Sequence, residues 1–223
     1  MILASRRYPT RLPSGVGHRF GPWVGWLWCA VIVVCVAGPA RAEILPDQLI
    51  RDTSERLFSE FGANRQALEQ DRHKLYGLVT DVVVPHFDVV RMSRLVLGNH
   101  WRGATPEQQA RFVDEFRTLL VRTYATALFE YTGRETISIK PVKIKDGDRQ
   151  ALVRTALDLG TGPPVAINYV FLDIKGQWKV VDVTIEGVSL VTTYRSTYRE
   201  MIQTSGMDAL IDSLTDKNRN LES

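Results

Sequence analysis

The hydrophobic pattern of the chain changes period once, at Gly133, and that change limits what it can fold into. From Pro46 to about Tyr131 apolar residues recur every three or four positions, as in helices buried along one face. After Gly133 they recur every two, as in strands. A helical pattern returns from Ser189. Helices segregated from one block of strands imply an α+β fold in a single domain.

Within the first block, a helix starting at Pro46 or Asp47 uses Leu49, Ile50, Leu57, Phe58 and Phe61, and is interrupted at Gly62 and Asn64. A second runs from about Gln66 to Val84, ended by Pro85, which disfavours helical geometry in the residue before it. A short amphipathic helix follows from Asp88 to Leu97 and closes at Gly98. Thr105-Pro106-Glu107-Gln108 is a strong start signal, with a capping Thr, Pro in the first turn and Gln three residues after the cap. The helix it opens carries an inward stripe from Phe112 to Tyr131.

Four runs then read as strands: Glu135 to Lys145, Arg149 to Leu159, Val165 to Lys175 and Trp178 to Glu186. Short turn-like joins predict a four-stranded twisted antiparallel meander. The third run is apolar on both faces, which predicts a central strand covered twice. Two helices, Ser189 to Gln203 and Met207 to Lys217, close the chain.

The 28 Lys and Arg against 25 Asp and Glu overstate the basicity of the body. Five Arg and no acid fall in residues 1–42, and removing them leaves 23 basic against 25 acidic residues, a net of −2. Mixed charge without a basic cluster argues against a nucleic-acid-binding domain. The Arg-rich start, the apolar run Trp23 to Ala37 and the small residues Ala40-Arg41-Ala42 predict a cleavable signal peptide over 1–42, cut after Ala42. About 15 apolar residues fall short of the roughly 20 that span a bilayer. Neither Cys29 nor Cys35 follows a small residue, so lipid anchoring is not expected, and general secretion fits better than twin-arginine export. The long n-region suggests a true start nearer Val16. Residues 43–223 then form one exported, cysteine-free domain that must be held by its core.

No phosphate loop, dinucleotide fingerprint, nucleophile elbow or metal-spaced His pair is present. His73, His86 and His100 are scattered. By strict alternation, Asp182 and Glu186 share a face with Trp178, Val180 and Thr184, so a carboxylate base in a small isomerase-like cavity is one reading. The other, favoured, is that these carboxylates accept hydrogen bonds where the sheet meets the last helices.

Four segments carry a family resemblance: Phe87-Asp88-Val89-Val90-Arg91-Met92-Ser93-Arg94-Leu95-Val96-Leu97-Gly98-Asn99-His100-Trp101; Phe112-Val113-Asp114-Glu115-Phe116 with Tyr124 downstream; Gly176-Gln177-Trp178-Lys179-Val180-Val181-Asp182-Val183; and Glu186-Gly187-Val188-Ser189-Leu190-Val191 followed by Tyr194-Arg195. With the signal peptide and the order of elements, they resemble the MlaC family, also called the toluene-tolerance Ttg2 auxiliary family, over about Pro46 to Lys217. The resemblance implies a periplasmic, non-enzymatic phospholipid carrier of the Mla lipid-transport system in Gram-negative bacteria. Such a carrier moves lipid between an inner-membrane ABC transporter complex and an outer-membrane lipoprotein complex, and so maintains outer-membrane lipid asymmetry. It also implies an apolar cavity between sheet and helices with phospholipid as cargo; the residues themselves offer no metal cluster and call for no cofactor, and nothing in the sequence demands more than a monomer. Alternatives are the small cavity enzyme using Asp182 with His86 or His100, and a ligand-free periplasmic adaptor.

The physics of a carrier fits. Two acyl chains hold about 30 methylenes, and at roughly 0.8 kcal/mol each their exposure costs about 25 kcal/mol, so the slot must shield nearly all of them. Face periodicity assigns Val153, Leu157, Ile167, Tyr169, Phe171 and Val180 to its sheet wall. It assigns Val90, Leu95, Phe112, Phe116, Leu119, Leu190, Val191 and Tyr194 to its helical wall.

Overall fold

The computed structural model describes residues 44–160 and 162–222. The expected signal peptide, its cleavage site and both cysteines lie outside the described residues.

Helix α1 runs unbroken over Pro46–Gln70, through Gly62. A mid-helix glycine costs only about 1 kcal/mol. Phe61, fully buried, and Leu68, 5% exposed, anchor the helix on either side of it, and each such burial is worth about 2 kcal/mol. The break expected at Gly62 therefore moves to Asp71, whose extended backbone leaves the helix and whose side chain accepts from the His73 amide. This starts α2, Arg72–Val82. A 3-10 turn, Val84–His86, carries the chain round Pro85.

Helix α3, Val89–Leu97, keeps both expected ends: Asp88 accepts from the Arg91 amide at 2.8 Å, and Gly98 takes φ 55° to stop it. A single turn, α4, spans His100–Gly103. Helix α5, Pro106–Ala125, opens with a complete capping box, the Gln108 amide donating to Thr105 Oγ1 at 3.2 Å and the Thr105 amide to Gln108 Oε1 at 3.0 Å. Its last expected turn tightens into a 3-10 segment, Thr126–Glu130.

The sheet is an antiparallel meander of five strands in the order β1-β2-β3-β4-β5: Thr136–Ile139, Gln150–Asp158, Val165–Asp173, Trp178–Ile185 and Val188–Ser189. The expected four become five because Glu186 and Gly187, at φ 49° and 83°, make a two-residue hairpin back to Val188. β1 stops well short of Lys145, since Pro141 has no amide to continue the ladder. β3 is central as expected, yet of its nine residues only Phe171 is buried. Its outer face is half-exposed rather than covered a second time.

β4 contains a bulge that strict alternation misses. Val170 faces Asp182 and Phe171 faces Val180, leaving Val181 without a partner. The phase slips by one, so Trp178 and Val180 share the inner face with Val183, while Asp182 turns to the other side. There Asp182 Oδ1 accepts from the Val183 and Val191 amides at 2.8 and 3.1 Å, and Oδ2 from the Ser189 hydroxyl at 2.6 Å. Ser189 Oγ in turn accepts from the Thr192 amide at 3.1 Å. Two free amides at the start of α6, Leu190–Glu222, are thereby satisfied. Glu186 accepts from the Ala166 amide. α6 covers both expected closing helices, separated at Gly206 (φ 87°, ψ 174°).

Three apolar clusters form. One joins α3, α5 and α6 through Met92, Phe112, Phe116, Leu119, Tyr198 and Leu210. A second joins the inner sheet face to Ile50 of α1 through Val153, Phe171 and Val180. The third joins α1, α2 and the end of α5 through Phe61, Leu68, Leu75 and Val121.

Replacing Asp182 with Ala strands the amides of Val191 and Val183 and the Ser189 hydroxyl. Urea denaturation should show a loss of about 3 kcal/mol, and Asp182→Asn a smaller one. Thr105→Ala should cost about 1 kcal/mol in the same assay.

Candidate functional site

Where the three clusters meet they do not merge. A cavity of about 360 Å³ lies between them. Its walls come from the helices and from the inner face of β3 and β4. α1 supplies Ile50, Thr53, Ser54 and Leu57 at helical spacing, and α5 supplies Arg117, Leu120, Val121 and Tyr124 in the same way. The connection through α3 supplies Val83, Val84, His86, Phe87, Val89 and Met92. The inner sheet face supplies Ile167, Tyr169, Val180, Val183 and Ile185, and Leu190 closes the ring at the start of α6.

The lining is mostly aliphatic, which suits a guest of hydrocarbon. Apolar walls left without partner atoms give up dispersion contacts, so an apolar guest that covers them stabilises the fold.

The polar groups on the wall are few. Burial pushes the Tyr169 phenol up to about 12, with the neighbouring Thr155 hydroxyl opposing the shift, so it is neutral and unreactive at neutral pH. Burial, then the positive charges of Lys179 and Arg56, lower the pKa of His86. Beside the cavity, Tyr194 packs edge-on against Phe116 at 5.3 Å and is held neutral by burial and by Tyr124.

Of the wall residues read from the sequence, Ile167, Tyr169, Val180 and Leu190 line this cavity. Phe112, Phe116, Leu119 and Val191 are buried in the helical cluster, and Val153 and Phe171 in the sheet cluster, away from the space. Tyr194 is half-buried against the helical cluster. Leu157 is half-buried near the end of β2, between Ile137 and Val165. Val90 and Leu95 are 45% and 37% exposed on the outside of α3, because the Asp88 cap turns Val89 and Met92 inward instead. The α1 contribution and the Val83–Phe87 connection were missed as walls. Leu49, Ile50 and Leu57 read as inward-facing from their spacing, but spacing does not say whether a face meets atoms or a void.

Asp182, the candidate base, is not on the wall, and its oxygens are taken up by the start of α6. His100 lies on α4, also off the wall. Among the described residues no three His, Cys, Asp or Glu side chains gather to hold a metal, and no helix is long and apolar enough to cross a membrane.

The chain is 27% identical over 164 residues to the toluene tolerance protein ttg2D of Pseudomonas putida, covering 73% of this chain and 75% of that one. It is 25% identical over 195 residues to the intermembrane phospholipid transport system binding protein MlaC of Haemophilus influenzae, covering 86% and 91%. Among solved structures it matches a phospholipid-binding protein from Ralstonia solanacearum in complex with a phospholipid. The TM-score is 0.72 at 29% identity, over 79% of this chain and 98% of that one. The family model described as MlaC protein matches residues 51–216, and the chain belongs to that family.

Proposed function

We propose that this protein is a periplasmic phospholipid carrier that moves lipid between an inner-membrane ABC transporter complex and an outer-membrane lipoprotein complex, and that residues 1–42 are the export signal removed from it. The observation that carries the reading is the aliphatic cavity at the junction of three cores, in a fold whose Ralstonia relative binds a phospholipid. The acyl chains occupy this cavity against Leu57, Leu120, Ile167, Val180 and Leu190, with the headgroup toward the solvent-exposed rim. No catalytic step is assigned, since the carboxylate considered for one supports the helix start instead.

Native mass spectrometry with lipid extraction, on protein purified from the periplasm without detergent, tests this directly. The expected result is a co-purifying phospholipid in an integer ratio, on a chain that begins at Glu43. A ligand-free mass under gentle ionisation is the opposite result and favours an adaptor.

Leu57 borders the cavity but belongs to none of the three clusters, so Leu57→Trp fills the space with little damage to the cores. Co-purified phospholipid should fall about tenfold. The melting temperature of the lipid-free chain should stay the same or rise.

A further inference from the structure

The carrier reading leaves one feature of the cavity unused, the distribution of positive charge along its rim. His86 lies on the wall. The residue before it, Pro85, accepts a hydrogen bond at 2.8 Å from Lys179 Nζ, which brings that ammonium from β4 to the same edge. Lys179 takes part in no ion pair among the described residues, and its hydrogen bond goes to a neutral carbonyl. Arg56 comes to His86 from α1, one residue before the wall residue Leu57, and is held at 2.7 Å by Glu60. Asp88, two residues after His86, is committed to Arg91 at 3.2 Å. Three groups that carry or can take positive charge, from three different elements, thus come with one ion pair among the described residues, that of Arg56 with Glu60. On the neighbouring turn of α1, the wall hydroxyls of Thr53 and Ser54 have no hydrogen-bond partner among the described residues.

The same wall contains one other cation, Arg117, but its guanidinium already meets Asp114 at 3.1 Å and stands alone. An ammonium without a counter-ion among the described residues, beside a histidine whose neutral form is favoured, is a place that an anion stabilises.

We propose that the rim made by His86, Lys179 and Arg56 holds the phosphodiester of the cargo, fixing the lipid headgroup there rather than leaving it free in water. The inference rests on the carrier reading and adds to it a chemical preference for phosphate-bearing lipids over neutral lipids with the same chains. Bound phosphate brings negative charge to His86, so loading raises the pKa that burial, and then Lys179 and Arg56, lower in the empty protein.

The test uses delipidated protein reloaded with dioleoylphosphatidylglycerol or with dioleoylglycerol, which has the same chains and no phosphate, while the histidine ring signals are titrated by NMR. The phospholipid should move the His86 midpoint upward, leaving His73 and His100 in place, and dioleoylglycerol should not. Lys179→Met and Arg56→Gln should each reduce the preference for phospholipid over dioleoylglycerol about tenfold, whereas Arg111→Gln, at an exposed α5 cation off the wall and paired with Asp212, should leave it unchanged. Arg56 is exposed, so its variant keeps the test open if loss of the Lys179 bond to Pro85 disturbs folding. Equal His86 titration with both lipids, or the same loss of preference in Arg111→Gln, overturns the proposal. So does an upward shift produced by inorganic phosphate alone, which marks a free-anion site. Uptake of neither lipid by the unaltered protein contradicts the carrier reading itself. Uptake of both without preference contradicts only the headgroup site.

Discussion

An apolar space inside a folded chain is held open against its own collapse, because every wall atom that faces a void gives up dispersion contacts it would make in a closed core. The walls must therefore be anchored from behind. Here each wall is backed by a separate cluster: the helical one around Phe112 and Phe116, the sheet one around Val153 and Phe171, and the α1–α2 one around Phe61 and Leu75. All six of these side chains are fully buried. They bear no direct relation to a ligand, and yet they decide that Leu57, Leu120 and Ile167 face a space instead of one another.

The sheet wall and the start of α6 are set by one tie. The bulge at Val181 lets Val180 and Val183 both face inward while Asp182 turns away to receive the Ser189 hydroxyl and the Val191 amide. Leu190 is thereby fixed at the edge of the cavity. A carboxylate in the last strand of a small α+β domain resembles a catalytic base in the linear sequence. Its hydrogen bonds make it a structural fastening, and among the described residues the wall of the cavity it helps to shape carries no carboxylate.

Much of the architecture was legible in the sequence because it depends on local signals. The capping box at Thr105, the Asp88 start and Gly98 stop of α3, and the alternation after Gly133 act over a few residues, and the structure keeps each of them. Non-local competition decided the rest. Gly62 reads as a break, but the burial of Phe61 and Leu68 outweighs it. Alternation through β4 hides a bulge that depends on its partner strand. The cavity was the least legible feature. Phe112 and Leu120 lie on the same helix and both read as inward, yet one is packed solid and the other borders open space. Family resemblance supplied the existence of a cavity, and only the packing of distant elements supplied its position.

The central claim is that acyl chains lie between α1, α5 and the inner face of the sheet. A phospholipid carrying a photoreactive diazirine midway along one acyl chain, loaded into the protein and irradiated, reports its neighbours by peptide mass spectrometry. The account predicts label on α1 around Ile50 to Leu57, on α5 around Leu120, and on Ile167, Val180 or Val183 of the sheet. Label confined to the exposed side of α3 at Val90 and Leu95, with the cavity peptides unmodified, contradicts it.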